Sequence, residues 1–173
     1  YSFIAGVLEH ARGMCAVTNP LVNSYKRLVV GYEAPVYIAW SAKNRSPLVR
    51  VPNARGEASR IEIRNPDPAA NPYLAFAAVL AAGLDGIKRG LTPPAACDSN
   101  IFEMSKKELS EHNILSLPKN LSEAVDEFER DELLLNAIGD HIAPKYIEAK
   151  RREWHEYTTT VHDWEVNRYL IKY

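Results

Sequence analysis

Residues 60–64 read Arg-Ile-Glu-Ile-Arg, a strict alternation of charged and β-branched apolar side chains. Successive side chains of an extended strand face opposite ways. The pattern therefore asks for a strand that turns Ile61 and Ile63 into a core and sets Arg60, Glu62 and Arg64 in a row on its other face. Neighbours in that row stand roughly 6.6 Å apart, a spacing that suits a polyanion. Guanidinium groups grip phosphate oxygens in pairs, and a carboxylate takes a divalent cation. Five residues leave two readings open: a phosphate-and-metal site, or the solvated face of a sheet with weak ion pairs.

The neighbouring segments supply the rest of a sheet. Asn65-Pro66-Asp67-Pro68 cannot continue the strand. Upstream, Val36 to Ala42 is rich in β-branched and aromatic residues and reads as a strand. Lys43 to Pro47 reads as a turn, and Leu48 to Val51 as a second strand closed by Pro52. The short loop 53–59, with Gly56, makes the second and central strands antiparallel neighbours. Arg45 on the turn and Arg50 in the strand are then expected to converge with Arg60 and Arg64. Asn71-Pro72 is an N-cap followed by Pro at the first helical position. It opens a helix from Tyr73 to about Lys88, whose small residues, Gly83 among them, allow close packing.

The remaining segments are helical or irregular. Residues 2 to about 18 follow the i, i+3, i+4 rule, and His10 falls among the polar positions, structural or exposed. Asn19-Pro20 ends that helix. Residues 21–35 have no clean period, yet their Tyr, Leu and Val content argues against disorder; they read as a lid or binding loop with Arg27 and Glu33 as its chemical groups. Gly90 to Pro94 is a linker, and a boundary is expected there between residues 1–92 and a helical region, 93–173. In that region Ser105 and Glu108 form a capping box, and Leu115 to Pro118 breaks the pattern. Ser122 is expected to cap a helix to Phe128, Asp131 a helix to Ile138, and a longer helix runs from Asp140 to about Tyr157. A last helix, about Val161 to Tyr173, carries an apolar side that is either tucked into the core or offered to a partner subunit.

Charge is unevenly spread. Residues 26–64 hold eight Lys or Arg against three Glu, a net of +5, while residues 101–173 are net −5. The first suggests anionic ligands, the second a solvated helical surface. Alternating glutamates and the lack of a basic helical stripe argue against nucleic acid. No apolar run approaches the roughly 18 residues of a membrane span, and no secretory signal is visible. Cys15 and Cys97 make neither a metal spacing nor a disulfide framework, so a reducing cytoplasm is the simplest setting. Zinc-spaced His pairs, a Gly-rich phosphate loop and a nucleophilic Ser elbow are all missing from the sequence. A start without Met, on an apolar helical pattern, suggests a piece of a longer protein.

Five motifs now stand in one order: Asn23-Ser24-Tyr25-Lys26-Arg27-Leu28, Gly31-Tyr32-Glu33-Ala34-Pro35, Asn44-Arg45-Ser46, Arg60 to Arg64, and Asp67-Pro68-Ala69-Ala70-Asn71-Pro72-Tyr73. Together they resemble the C-terminal part of a bacterial type I glutamine synthetase, along essentially the whole chain. The resemblance implies an α+β fold: an antiparallel sheet forming part of an active-site barrel, flanked by helices and followed by a helical region. It implies a ligase that joins glutamate and ammonium with ATP and Mg²⁺ or Mn²⁺ through γ-glutamyl phosphate. By motif, Glu62 is implied as a metal ligand, and Arg50 and Arg60 as ATP contacts. Arg45 is implied at the transferring phosphoryl group, with contacts to ATP and glutamate, and Arg27 and Arg64 as holders of glutamate. Glu33 is implied as the flap residue that takes a proton from ammonium and touches glutamate. The family's other metal ligands and its small N-terminal β domain lie upstream of the matching part, so the chain alone is expected to be inactive. The resemblance further implies a dodecamer of two stacked hexamers, with the last helix reaching into the opposing ring, and leaves room for a regulatory protein. Phe102 stands where some members carry an adenylylated tyrosine. Two alternatives stay open: a γ-glutamyl ligase for another amine, and a non-catalytic module for assembly or regulator binding.

Overall fold

A computed structural model describes residues 1–32 and 34–170. Two helices open the chain, α1 (Ser2–Glu9) and α2 (Ala11–Thr18). The single helix expected here bends at His10. The hydrogen-bond ladder runs through the bend, from His10 N to Gly6 O and from Met14 N to His10 O, but His10 leaves helical dihedrals. The cause lies elsewhere in the chain. The His10 ring is held by Asp131 through Nδ1 (2.6 Å) and by Asp85 through Nε2 (3.3 Å), the first a cap residue between two later helices and the second within the helix that packs on α1.

The sheet contains β1 (Tyr37–Ser41), β2 (Pro47–Arg50), β3 (Glu62–Ile63) and β4 (Leu115–Ser116), in the order β3-β2-β1-β4. The expected antiparallel pairing of β2 with β3 is present, Val49 opposite Ile63 and Arg50 opposite Glu62. Strand β1 pairs antiparallel with β4 but parallel with β2, so the sheet is mixed rather than wholly antiparallel. Residues 42–46 are therefore not a hairpin turn: they form a strap that runs back along the sheet from the end of β1 to the start of β2. The central strand is also shorter than its pattern suggests, although Arg64 N still donates to Leu48 O at 3.0 Å.

Helix α3 (Pro72–Lys88) starts at Asn71, whose side chain accepts from Tyr73 N and Leu74 N. It lies so close on α1 that a methyl group at Gly86 would stand 2.1 Å from Ser2 O, and one at Gly6 2.0 Å from Ala82 O. Backbone-to-backbone contact of this kind admits only glycine.

Four helices follow: α4 (Lys106–Glu111), α5 (Leu121–Arg130), α6 (Glu132–Ile138) and α7 (Ile142–Thr159), then a short α8 (Asp163–Glu165) continued by a wide turn at Val166–Leu170. The Ser105/Glu108 capping box forms as expected. Asn120, not Ser122, caps α5, two residues earlier than expected, by accepting from Glu123 N. Helix α5 buries Leu121, Ala124, Val125 and Phe128, one stripe of a 3.6-residue period. One core joins Met14 and Val17 of α2, Leu48 and Val49 of β2, Ala78 and Ala82 of α3, and Phe128 and Leu134 of the later helices. Trp164, Tyr169 and Leu170 near the end of the chain are exposed. Among the described residues no helix is long and apolar enough to cross a membrane.

Candidate phosphate-binding site

The row predicted from residues 60–64 continues across three strands. Ser41, Arg50 and Glu62 are register partners on β1, β2 and β3, so their side chains share one face of the sheet. Ile61 and Ile63 pack against the core, as the alternation requires. Glu62 accepts from Arg50 Nη1 at 2.8 Å and from Arg60 Nη2 at 3.3 Å. The Arg50 and Glu62 side chains are 30% and 32% exposed, so both readings of the row meet here: real ion pairs, open to water on one side.

Arg64 stands two residues along the same strand and lines a cleft of about 600 Å³ with Arg45, Tyr32, Asn44, Asp98 and Phe102. Arg45 is exposed and, among the described residues, forms no hydrogen bond or ion pair within the chain. Arg60, at the other end of the row, edges an apolar hollow of about 520 Å³ beside Phe3, Ile4, Val51 and Ile61. Arg45, Arg50, Arg60 and Arg64 thus lie along the row and the cleft that continues it, with two carboxylates among the described residues, Glu62 in the row and Asp98 in the cleft.

Arg27, expected as a glutamate contact, reaches into the backbone beside Arg64. Its guanidinium donates to Asn65 O (2.9 Å), Pro66 O (3.3 Å) and Arg64 O (3.4 Å) and does not line the cleft. Three carbonyls of a turn occupy its fork, so it braces the backbone that presents Arg64. Asn65 is braced from the other side: its buried amide donates to Thr18 Oγ1 and Asn19 Oδ1, both at 2.9 Å. Glu33 lies outside the described residues.

The sequence reading missed the residues that hold the strap. Ser41 Oγ accepts from Lys43 N and Asn44 N and donates to Asp98 Oδ1. Lys43, with Ser41 second, holds the Asp98 carboxyl below the usual carboxylate range. Nothing periodic marks Asp98 or Asn44; only the Asn-Arg-Ser triplet gave a signal, and it pointed to the arginine.

As a metal ligand Glu62 offers one carboxylate. Among the described residues the one group of three possible ligands that gathers is Glu9, His10 and Asp85, on another surface. There Arg89 pairs with Glu9 at 2.7 Å and with Asp85 at 2.8 Å, so a guanidinium already fills that place. Glu62 is likewise engaged by guanidinium groups, those of Arg50 and Arg60.

Comparison with known proteins assigns the family. The family model described as "Glutamine synthetase, catalytic domain" matches residues 1–169. The glutamine synthetase of Clostridium saccharobutylicum is 58% identical over 173 residues, which is 100% of this chain and 39% of that protein. That of Methanocaldococcus jannaschii is 59% identical over 170 residues, 98% of this chain and 37% of that protein. A solved structure titled "GmaS/ADP complex-Conformation 1" superimposes with a TM-score of 0.85 at 40% identity, covering 99% of this chain and 39% of that one. The chain spans about two fifths of the length of the curated relatives it matches. With an arginine-lined cleft, a carboxylate between two guanidinium groups and a match along nearly its whole length, the chain belongs to the glutamine synthetase family.

Proposed function

We propose that this chain is the C-terminal catalytic lobe of an ATP-dependent glutamate–ammonia ligase that makes glutamine through γ-glutamyl phosphate. The observation that carries the reading is the gathering of Arg45, Arg50, Arg60 and Arg64 along the row and cleft, with the carboxylate of Glu62 between Arg50 and Arg60. Phosphoryl transfer is served mainly by positioning and by neutralising developing charge, and this face supplies both. Arg50 and Arg60 hold the nucleotide's phosphates, and the apolar hollow beside Arg60 takes its uncharged base. A relative of the same fold was solved as an ADP complex, which supports a nucleotide here. Arg45 meets the transferring phosphoryl group. Arg64, held by the turn that Arg27 braces, meets the glutamate carboxylate or the new acyl phosphate. Glu62 contributes one ligand to Mg²⁺ or Mn²⁺, which when bound neutralises phosphate charge. Glu33 is the proton acceptor for ammonium and, with its loop, excludes water that would hydrolyse the acyl phosphate. The exposed Trp164, Tyr169 and Leu170 suit a subunit contact within a homo-oligomer.

The test is turnover with glutamate, ammonium and MgATP, scored as glutamine and released phosphate. The full-length protein is expected to be active. The 173-residue chain alone is expected to be inactive, because one carboxylate cannot hold the cations. Full-length protein that makes no glutamine under these conditions overturns the reading.

A further inference from the structure

The strap that carries Arg45 has an unusual burden. It joins two parallel neighbours in only five residues, 42–46, where such strands ordinarily need a crossover of a dozen residues or more. It belongs to no strand ladder of its own. Its position depends on side-chain bonds to a segment more than fifty residues away. Asn44 Nδ2 donates to Cys97 O at 3.0 Å and to Ser99 O at 2.9 Å. Asn44 Oδ1 accepts from Ser46 N at 3.1 Å and Ser46 Oγ at 3.0 Å. Both donors and both lone pairs of the amide are therefore engaged. Ser41 Oγ to Asp98 Oδ1 (2.8 Å), Lys43 Nζ to Asp98 Oδ2 (2.9 Å) and Cys97 N to Trp40 O (2.9 Å) close the clasp on one side. Ile101 N to Ser46 Oγ (3.4 Å) closes it on the other. Among the described residues Arg45 itself has no contact of this kind, so its cation is aimed by the backbone that the clasp around Asn44 holds.

We propose that Asn44 is a positioning residue for Arg45, and that segment 97–101, through the two carbonyls Asn44 grips, is part of the phosphoryl-transfer apparatus although it carries no reacting group. The inference rests on the role given to Arg45 above. A guanidinium that stabilises a transferring phosphoryl group must sit within a few tenths of an ångström of its place, and a displacement of about 1 Å can cost about 100-fold in rate. Released from the 97–99 carbonyls, the strap keeps its sequence and its charge but loses its aim. Substrate binding, which Arg50, Arg60 and Arg64 share, is little affected.

The experiment is a double-mutant cycle in the full-length enzyme. Asn44→Ala is expected to lower kcat about 10- to 100-fold with KM for ATP and glutamate changed less than about threefold. Asn44→Asp, which keeps the shape but loses both donors, is expected to do the same. The losses from Asn44→Ala and Arg45→Ala are expected not to multiply: the double variant should turn over about as fast as Arg45→Ala alone. A merely structural Asn44 gives multiplying losses and a KM rise in step with a lower melting temperature, and that result overturns the inference. Normal turnover in Asn44→Ala, with Arg45→Ala crippled, overturns the positioning role but leaves the role of Arg45 standing. Normal turnover in Arg45→Ala overturns the role of Arg45 and the inference with it. Should Asn44→Ala fail to fold, Asp98→Ala, at the exposed end of the same clasp, carries the cycle. It is expected to give a loss of several-fold that likewise vanishes in an Arg45→Ala background, and multiplying losses there overturn the proposal.

Discussion

Replacing Glu62 by Gln separates the two readings of the charged row. The amide keeps the size of the carboxylate but has one acceptor oxygen, so it can still accept from only one of Arg50 and Arg60, which now donate to different carboxylate oxygens at 2.8 and 3.3 Å. What disappears is the charge and one of the two acceptors. Both ion pairs are open to water, with Arg50 30%, Glu62 32% and Arg60 56% exposed, and exposed pairs are each worth about 0.2–1 kcal/mol. The protein should therefore lose about 1 kcal/mol of stability, or less in high salt, where screening has already weakened the pairs. Catalysis should lose far more. Removing one fixed group aimed at developing charge costs about 10²–10³ in kcat, or about 3–4 kcal/mol. The assay pairs thermal unfolding of full-length Glu62→Gln with its release of phosphate from MgATP in the presence of glutamate and ammonium. Activity within threefold of the parent refutes the metal-ligand reading. A stability loss above about 3 kcal/mol, with activity falling only in proportion to the unfolded fraction, refutes it as well and makes Glu62 a structural residue.

Three further outcomes follow from the packing. Gly86→Ala should destabilise by about 1–3 kcal/mol, since its methyl meets Ser2 O and Gly6 N of the facing backbone and α1 and α3 must part. Gly83→Ala should cost under about 1 kcal/mol, because it displaces only the half-buried Phe3 ring and gains helix propensity; the two melting temperatures in one buffer check this. His10 is raised above its ordinary 6.5, first by its hydrogen bond to Asp131, then, against burial, by the Asp131 and Asp85 charges. A raised value means that its stabilisation is complete below 6.5 and is lost as pH climbs through the folded-state value. His10→Ala should therefore flatten the decline of melting temperature on the alkaline side of 6.5. Finally, a thiol reagent should modify Cys97 but not Cys15 in the native protein: Cys15 is wholly buried and its thiol is pushed up to about 12, chiefly by that burial, while Cys97 is only partly covered. Mass spectrometry of native and unfolded samples reads this directly.

Local periodicity made part of the fold legible. The alternation at 60–64 correctly assigns Ile61 and Ile63 to the core side and Glu62 to the outer face. The Asn71-Pro72 start and the Ser105/Glu108 box are correct because a cap is written within four residues. The misreadings share a cause: a partner far away in sequence. The bend at His10 is set by Asp85 and Asp131, 75 and 121 positions downstream. Strand β4 is two residues long and exists only as a pairing with β1. The run Lys43 to Pro47 has hairpin-like composition, yet carbonyls at 97 and 99 hold it as a strap. The main-chain acceptors of Arg27 at 64–66 are likewise recorded in no side-chain pattern.

The ion pairs of the row also bear on how the proposed ligands enter. Guanidinium groups set this close along the row and cleft would repel one another if left bare, and Glu62 lowers that cost by pairing with two of them. Because the pairs are half in water, opening each costs only about 1 kcal/mol or less, whereas a guanidinium–phosphate fork is a charge-assisted, two-point bond. Under the proposed function Arg50 and Arg60 can therefore trade Glu62 for phosphate oxygens while Glu62 is freed to accept a cation, and none of these three groups is left without a counter-charge. A fully buried Arg–Glu pair could not make this exchange, since separating it leaves an uncompensated charge at a cost of about 3–5 kcal/mol. The one-third exposure of Arg50 and Glu62, which by itself reads as an unremarkable surface contact, is on this account what makes the row usable as a site.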